Sequence, residues 1–181
     1  GDAIGRIRVA DFVGAEAGTG GKTAFTLAKD IGVPQAAAQQ FIDAYFTGFP
    51  RVRAFIDQTL EDARRTGVVK TIFGRRRPVP EVTSRNGQIR AAAERVAVNM
   101  PIQGTAADIL KRAMIDVDRA LAQAFPRARM ILTVHDELLF EAPADQSAEV
   151  AALVKTTMAA AVPLRVPLDV VQLRLAGEHA V

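Results

Sequence analysis

The sequence contains no cysteine or tryptophan, only one tyrosine, and no long uninterrupted apolar run. Without cysteine, disulfide bridges and thiolate metal sites are excluded, and the composition fits a cytosolic protein. A membrane-spanning helix needs about 18 consecutive apolar residues, and the first residues also lack the pattern of a signal peptide. We therefore expect an intracellular protein with no membrane partner.

The chain has 181 residues, of which 49% are hydrophobic, so a folded core is expected. Its net charge is only +3, which does not establish a nucleic-acid partner. The basic residues are concentrated, however, around three consecutive arginines, Arg75, Arg76 and Arg77. This clustering indicates either a solvated basic face or a contact with phosphates. The other members of the cluster are Arg64, Arg65, Lys70, Arg85, Arg90 and Arg95.

Hydrophobic periodicity predicts three helices in the first part of the chain, over residues 23–31, 35–49 and 51–67. Residues 1–21 include the glycine- and alanine-rich stretch GAEAGTGG and predict a loop or linker. The period changes at Val68, where a strand is predicted, followed by GRRRP as a turn and VPEV as a short extended return.

A long helix is predicted from about Arg85 to Asn99. Pro101 lacks a backbone donor, so the helix is expected to kink or restart there. Thr105 and Asp108 have the spacing of a capping box that would open the next helix. A later helix is predicted over residues 146–161, before a last strand with the sequence VPLDVVQL.

Residues 130–143, MILTVHDELLFEAP, place His135, Asp136 and Glu137 between two apolar runs. Burying charge is costly unless it is paired or binds a metal. One interpretation is a surface hairpin with a charged turn. Another is a β-hairpin that presents carboxylates to a divalent cation, since magnesium prefers carboxylate oxygens and retains several waters.

A third interpretation is a P-loop nucleotide hydrolase, because GTGGKT resembles a phosphate-binding loop. Two features oppose it. Glu16 stands where the loop needs glycine, which would place a carboxylate against a phosphate. A second strand also follows the acidic residues directly, whereas parallel strands need a long crossover connection.

Three segments together resemble the C-terminal palm of family A DNA polymerases of the bacterial DNA polymerase I type. They are TIFGRRRPVPEV, AAAERVAVNMPIQGTAADILKRAM and VHDELLFEAP, and they occur in the family's order and spacing. The resemblance runs from about Thr23 to Val170. It implies nucleotidyl transfer from a dNTP to a primer 3′ end by two-metal catalysis on a duplex primer–template.

The resemblance also implies roles for individual residues. Asp136 would be a catalytic Mg²⁺ ligand, with Glu137 as an accessory carboxylate at the metals and His135 near the primer terminus. Two further sets would bind DNA, one in the minor groove near the new base pair and one at the duplex backbone. The minor-groove set is Arg95, Asn99 and Gln103, and the backbone set is Arg75, Arg76 and Arg77.

The sequence departs from the family pattern in its first part. The family's first motif, a strand with another metal-binding aspartate, has no recognised counterpart; Asp2, Asp11 and Glu16 lie outside any similar segment. At the end of the fingers motif, Gly20 and Glu16 stand where tyrosine and phenylalanine are expected. The two-metal site is then only partly encoded, and the chain alone is not expected to extend a primer. The alternative function is a non-catalytic DNA-binding remnant.

The expected fold is α/β of the α+β type, an antiparallel palm sheet with long packed helices and part of the helical fingers. The expected organisation is a linker-like segment over residues 1–21, partial fingers over 22–67 and a palm over 68–181. The resemblance further implies a bacterial cytoplasmic, nucleoid-associated protein that works with a missing N-terminal polymerase part.

Overall fold

The structure, a computed structural model, describes residues 2–9, 23–134, 137–166 and 168–174. Its strands are β1 (Asp2–Val9), β2 (Val68–Lys70), β3 (Arg76–Pro78), β4 (Arg129–Val134), β5 (Glu137–Pro143) and β6 (Val170–Arg174). Its α-helices are α1 (Ala24–Ile31), α2 (Gln35–Gly48), α3 (Pro50–Thr66), α4 (Gly87–Ala124) and α5 (Ser147–Ala160). Short 3-10 helices cover Pro80–Thr83 and Ala144–Gln146. This mixture of helices and antiparallel sheets confirms the expected fold class.

Contacts divide the chain into two compact units. The first, called the sheet unit here, combines Gly1–Phe12 with Ala107–Val181, and the second, the helical unit, is Val13–Ala106. In this division the first residues group with the C-terminal part, and the β2–β3 hairpin groups with the preceding helices; the expected palm and fingers segments stay a prediction. None of the helices in the described ranges is long and apolar enough to cross a membrane.

The sheet unit contains a four-stranded sheet in the order β4-β5-β1-β6, with antiparallel neighbours throughout. The prediction of a loop or linker over residues 1–21 is wrong for Asp2–Val9, which form the inner strand β1. Local sequence did not indicate it, because glycine interrupts the segment and its hydrogen-bond partners lie near the other end of the chain. Residues 10–22 lie outside the described ranges.

The core of the sheet unit depends on the alternation of side chains along β5. Leu138, Phe140 and Ala142 are all buried, whereas Glu137, Leu139 and Glu141 point to the other face and are only half-buried. Helix α5 contacts β1, β5 and β6, and helix α4 contributes a second apolar row. The buried side chains that the two helices contribute to this cluster are Ala113, Val117, Leu121, Val150, Val154 and Met158.

The helical unit has two small cores. Helices α1 and α2 meet through Ala24, Ala28 and Ala38, while α3, the β2–β3 hairpin and α4 enclose a second cluster. Helix α1 begins at the Thr23 cap, whose hydroxyl accepts the Thr26 N–H at 3.2 Å. The second cluster consists of Ala63, Val69, Val79, Val82, Ala93, Ala97 and Met100.

Helix α4 continues through Pro101, so the predicted restart at this residue is wrong. The capping box predicted at Thr105 is also wrong, because the Thr105 hydroxyl donates to the Pro101 carbonyl within the helix. The helix begins instead after Asn86, whose side-chain oxygen accepts the backbone N–H groups of Gln88 and Ile89 at 2.9 and 3.3 Å. Packing of the α4 apolar face stabilises a helix that proline alone would interrupt.

Truncating Leu138 is expected to destabilise the protein strongly. This side chain is fully buried on β5, so Leu138→Ala removes packed atoms and leaves a cavity that costs about 2–5 kcal/mol of unfolding free energy. Urea denaturation measures the change. Leu132→Ala on β4 is the matched control, because Leu132 is 53% exposed and its truncation is expected to cost much less. Equal losses in the two variants would contradict this core assignment.

Candidate nucleic-acid interface and acidic hairpin

The predicted acidic hairpin is formed by β4 and β5. These strands are antiparallel, and their last described pair is Val134 with Glu137. The two residues that join them, His135 and Asp136, lie outside the described ranges, so their predicted roles stay predictions. Glu137 is half-buried on the face of β5 opposite Leu138. The register therefore keeps this carboxylate out of the apolar core.

Strand β1 runs beside the acidic hairpin. Its backbone register pairs Arg8 with Glu137 at one end of β5 and Asp2 with Pro143 at the other. The C-terminal end of β1 is therefore the end nearest the β4–β5 connection. Within the described ranges, which omit residues 135 and 136, no group of three or more His, Cys, Asp or Glu side chains could hold a metal ion.

The predicted minor-groove residues occupy one face of α4. Arg95, Asn99 and Gln103 follow one another at intervals of four residues, which brings side chains to the same side of a helix. Arg95 and Gln103 are exposed and Asn99 is half-buried. At 1.5 Å of rise per residue, the set spans about 12 Å, the length of three to four base pairs. All three belong to the helical unit, whereas Glu137 belongs to the sheet unit.

The three consecutive arginines have different environments, although the sequence predicted one exposed turn. Arg75 lies in the turn, and its guanidinium donates to the Gly104 carbonyl of α4 at 2.8 Å. Arg76 and Arg77 lie in strand β3 and are exposed. Arg76 pairs with Lys70 and Arg77 with Val69. Placing all three in the turn was wrong, because backbone pairing with β2 continues through Arg76.

A small contact joins the β2–β3 turn to α4, and it was not recognised in the sequence. Thr71 and Thr105 are 5% and 3% exposed, and the Thr105 hydroxyl accepts the Ile72 N–H at 3.2 Å. A side chain at Gly104 would meet Thr71 Cγ2 at 2.9 Å and Arg75 Nη2 at 3.3 Å. We call these four residues, Thr71, Arg75, Gly104 and Thr105, the turn contact. The sequence signal that could have indicated this contact is Gly104, because a glycine inside a helix can mark the close approach of another segment.

Part of the predicted basic cluster is neutralised within the protein. Arg64 forms a salt bridge with Glu94 at 2.8 Å, and Arg65 forms one with Asp62 at 2.5 Å. Hydrogen bonds from Arg65 and Gln58 hold the pKa of Asp62 below its ordinary value, so this acid is ionised at neutral pH.

Some members of the cluster stay exposed to solvent. The Arg90 guanidinium donates a hydrogen bond to the Ser84 carbonyl at 2.9 Å. The members of the predicted basic cluster that are exposed and form no such bond with a residue of the described ranges are Lys70, Arg76, Arg77, Arg85 and Arg95.

Comparisons identify the class of domain to which these features belong. The fold matches a solved structure of the POL domain of Pol1 from M. smegmatis in complex with DNA primer-template and dNTP, with a TM-score of 0.79 and 44% sequence identity. The match covers 85% of this chain and 27% of that one. The profile of DNA polymerase family A matches residues 20–176. The chain belongs to DNA polymerase family A, as the sequence motifs predicted.

Curated relatives support the same family. The chain is 50% identical over 155 residues to the thermostable DNA polymerase I of Thermus thermophilus, and 51% identical over 150 residues to the DNA polymerase I of Deinococcus radiodurans. Each alignment covers 83% of this chain, but only 18% and 16% of these relatives. The chain therefore spans less than a fifth of the length of these relatives.

Gly104→Ala is expected to destabilise the helical unit. The new methyl group would lie 2.9 Å from Thr71 Cγ2, so the turn must shift, at a cost of about 1–3 kcal/mol. Gly48→Ala is the matched control, because a methyl group added to this helical glycine would meet no atom within 4 Å, and alanine favours the helix. Thermal unfolding of both variants measures the difference. A Gly104→Ala variant as stable as the wild type would contradict the turn contact.

Proposed function

We propose that this chain comprises the palm, over residues 68–181, and part of the fingers, over residues 22–67, of a template-directed DNA polymerase, which transfers a nucleotidyl group from a dNTP to a primer 3′ end. The observation that carries the proposal is the β4–β5 register, which keeps Glu137 outside the apolar core. Glu137 is the first residue of β5 and pairs with Arg8, near the C-terminal end of β1. Family membership and the match to a polymerase domain that binds primer–template support it. A cytoplasmic, nucleoid-associated location is part of the same proposal.

In this proposal, Asp136 and Glu137 hold Mg²⁺. The donor set fits, because hard cations prefer carboxylate oxygens and Glu137 lies at the hairpin end rather than in the core. Bound metal would stabilise charge on the attacking and leaving oxygens of phosphoryl transfer. The proposal assigns the positioning of the reactants to the chain's own residues. His135 is assigned to the primer terminus, and Arg95, Asn99 and Gln103 are assigned to test the shape of the new pair through minor-groove acceptors.

Two-metal chemistry needs a second carboxylate. The register of β1 shows how far Asp2, one of the acids considered, lies from Glu137. Asp2 pairs with Pro143, which is about 20 Å from Glu137 at about 3.4 Å per residue. Asp11 lies outside the described ranges. The register of β1 therefore opposes Asp2 as the second carboxylate, and we propose that the two-metal site is only partly encoded in this chain.

Removing Asp136 is expected to abolish divalent metal binding. Carboxylates supply the charge that binds the cation, and Asp136→Ala leaves too few of them. Water-proton relaxation enhancement by Mn²⁺ measures binding. Asp2→Asn serves as the matched control, because it removes the same charge at the end of β1 that pairs with Pro143, far from Glu137. Unchanged Mn²⁺ affinity in the Asp136 variant would show that the hairpin is not the metal site.

The chain alone is not expected to extend a primer. The groups that hold the incoming nucleotide in the family are not matched at Glu16 and Gly20, and misplacement of reactants by even about 1 Å can cost about 100-fold in rate. Primer extension is measured with the chain alone and after mixing with the upstream part of a family A polymerase domain.

Extension only in the mixture would support a palm portion that needs its other half. Extension by the chain alone would contradict the expected incompleteness. If DNA binds but neither reaction extends the primer, the non-catalytic DNA-binding remnant is the better interpretation.

A further inference from the structure

The β2–β3 hairpin places two cations directly opposite each other. Lys70 and Arg76 are cross-strand partners in the antiparallel pair. Directly opposed residues have Cβ atoms about 4.5–5.5 Å apart and project from the same face of the sheet. Like charges in this arrangement repel each other, so the pair destabilises the hairpin unless an anion lies between them.

The Lys70–Arg76 pair faces solvent. Its neighbour Val69 is 5% exposed and packs in the second core of the helical unit, so alternation directs Lys70 to the opposite face. Lys70 and Arg76 are both exposed, and neither forms a salt bridge with any residue that the structure describes. Both charges are therefore available to an external anion.

The backbone beneath the pair is held by several hydrogen bonds. The Thr71 N–H donates to the Arg75 carbonyl at 3.0 Å, and the Gly74 N–H donates to the Thr71 carbonyl at 2.9 Å. Gly74 has φ of +82°, a conformation that glycine adopts without strain. Because Arg75 is also bound to Gly104, the turn is anchored to α4 directly beside the pair. The two cations are thus carried on a preorganised support.

We propose that Lys70 and Arg76 form a two-cation clamp for a single phosphate of the DNA backbone. Arginine binds phosphate through its planar fork and lysine through a compact point charge, so the two side chains contact different oxygens of one group. The assignment of this phosphate to duplex DNA rests on the proposed function. The geometry of the Lys70–Arg76 pair, which favours an anion, is independent of that function. The clamp adds Lys70 to the expected DNA contacts and separates Arg76 from Arg75, which holds the turn.

The dependence of duplex affinity on salt tests whether one phosphate is shared. Each phosphate neutralised contributes about 0.9 to the slope of log affinity against log salt. A fluorescein-labelled primer–template is titrated with the wild type, Lys70→Gln, Arg76→Gln and the double variant. Each single variant is expected to keep most of the slope, because the other cation still neutralises the phosphate, whereas the double variant loses about 0.9.

Lys155→Gln and Arg119→Gln, alone and combined, are matched controls on exposed residues of α5 and α4. They remove the same charges outside the hairpin and are expected to leave the slope unchanged. A loss of about 0.9 in each single variant and about 1.8 in the double variant would show two separate phosphates and overturn the shared clamp. Unchanged slopes in all hairpin variants, with duplex bound by the wild type, would overturn it too.

A second measurement separates the clamp from the proposed function. Inorganic phosphate is titrated into the isotope-labelled protein at constant ionic strength, and amide shifts are followed by NMR. Saturable shifts at Lys70 and Arg76, absent from the double variant, support the clamp even if the protein fails to bind duplex. If phosphate produces no such shifts at Lys70 and Arg76, the clamp is overturned. A nucleoside triphosphate that displaces bound duplex from these amides would assign the phosphate to the nucleotide and overturn the backbone assignment.

Discussion

The burial of alternate side chains on β5 is the constraint on which the sheet unit depends. Leu138, Phe140 and Ala142 fill the core, so a register shift of one residue would expose this set and bury Glu137. A buried carboxylate without a partner is far more costly than the loss of one packed methyl group. The apolar residues of the strand thus determine where its carboxylate lies, and the position of the acidic hairpin follows from core packing.

A comparable constraint operates in the helical unit, where the absence of a side chain allows close approach. Gly104 admits the β2–β3 turn against α4, and Thr105 completes the contact by accepting the Ile72 N–H. Arg75 contributes to this contact with its charged group, which explains why three consecutive arginines do not behave as a uniform basic patch. Adjacent residues on a hairpin point to opposite faces, so neighbouring positions of the same residue type acquire different roles.

The sequence predicted the features that depend on local patterns. The helices over residues 23–67 and the hairpin around residue 135 were correct, because caps, apolar periodicity and alternating strands are local signals. Family membership was recognised from three short segments, and the profile match confirms it.

The errors involve interactions between residues that are distant in sequence. Strand β1 forms because it pairs with β5 and β6, which lie far along the chain. Helix α4 continues through Pro101 because it packs along its length. The turn contact also joins Ile72 to Thr105, which no periodicity relates. In the candidate site, the sequence did not indicate which residues pair with one another within the protein. For example, Arg64 belongs to the predicted basic cluster, but it forms a salt bridge with Glu94, which lies 30 positions further along the chain.

The position of β1 between β5 and β6 has a consequence for biosynthesis. Gly5 pairs with Phe140 and with Arg174, so β1 is synthesised well before either of its partner strands. At about 5–20 residues per second, that delay is roughly 10–30 s. Closing so long a loop also carries an entropic cost and slows folding. During this interval β1 has unpaired backbone groups on both edges, so chaperone binding to the nascent segment would protect it from pairing with other chains.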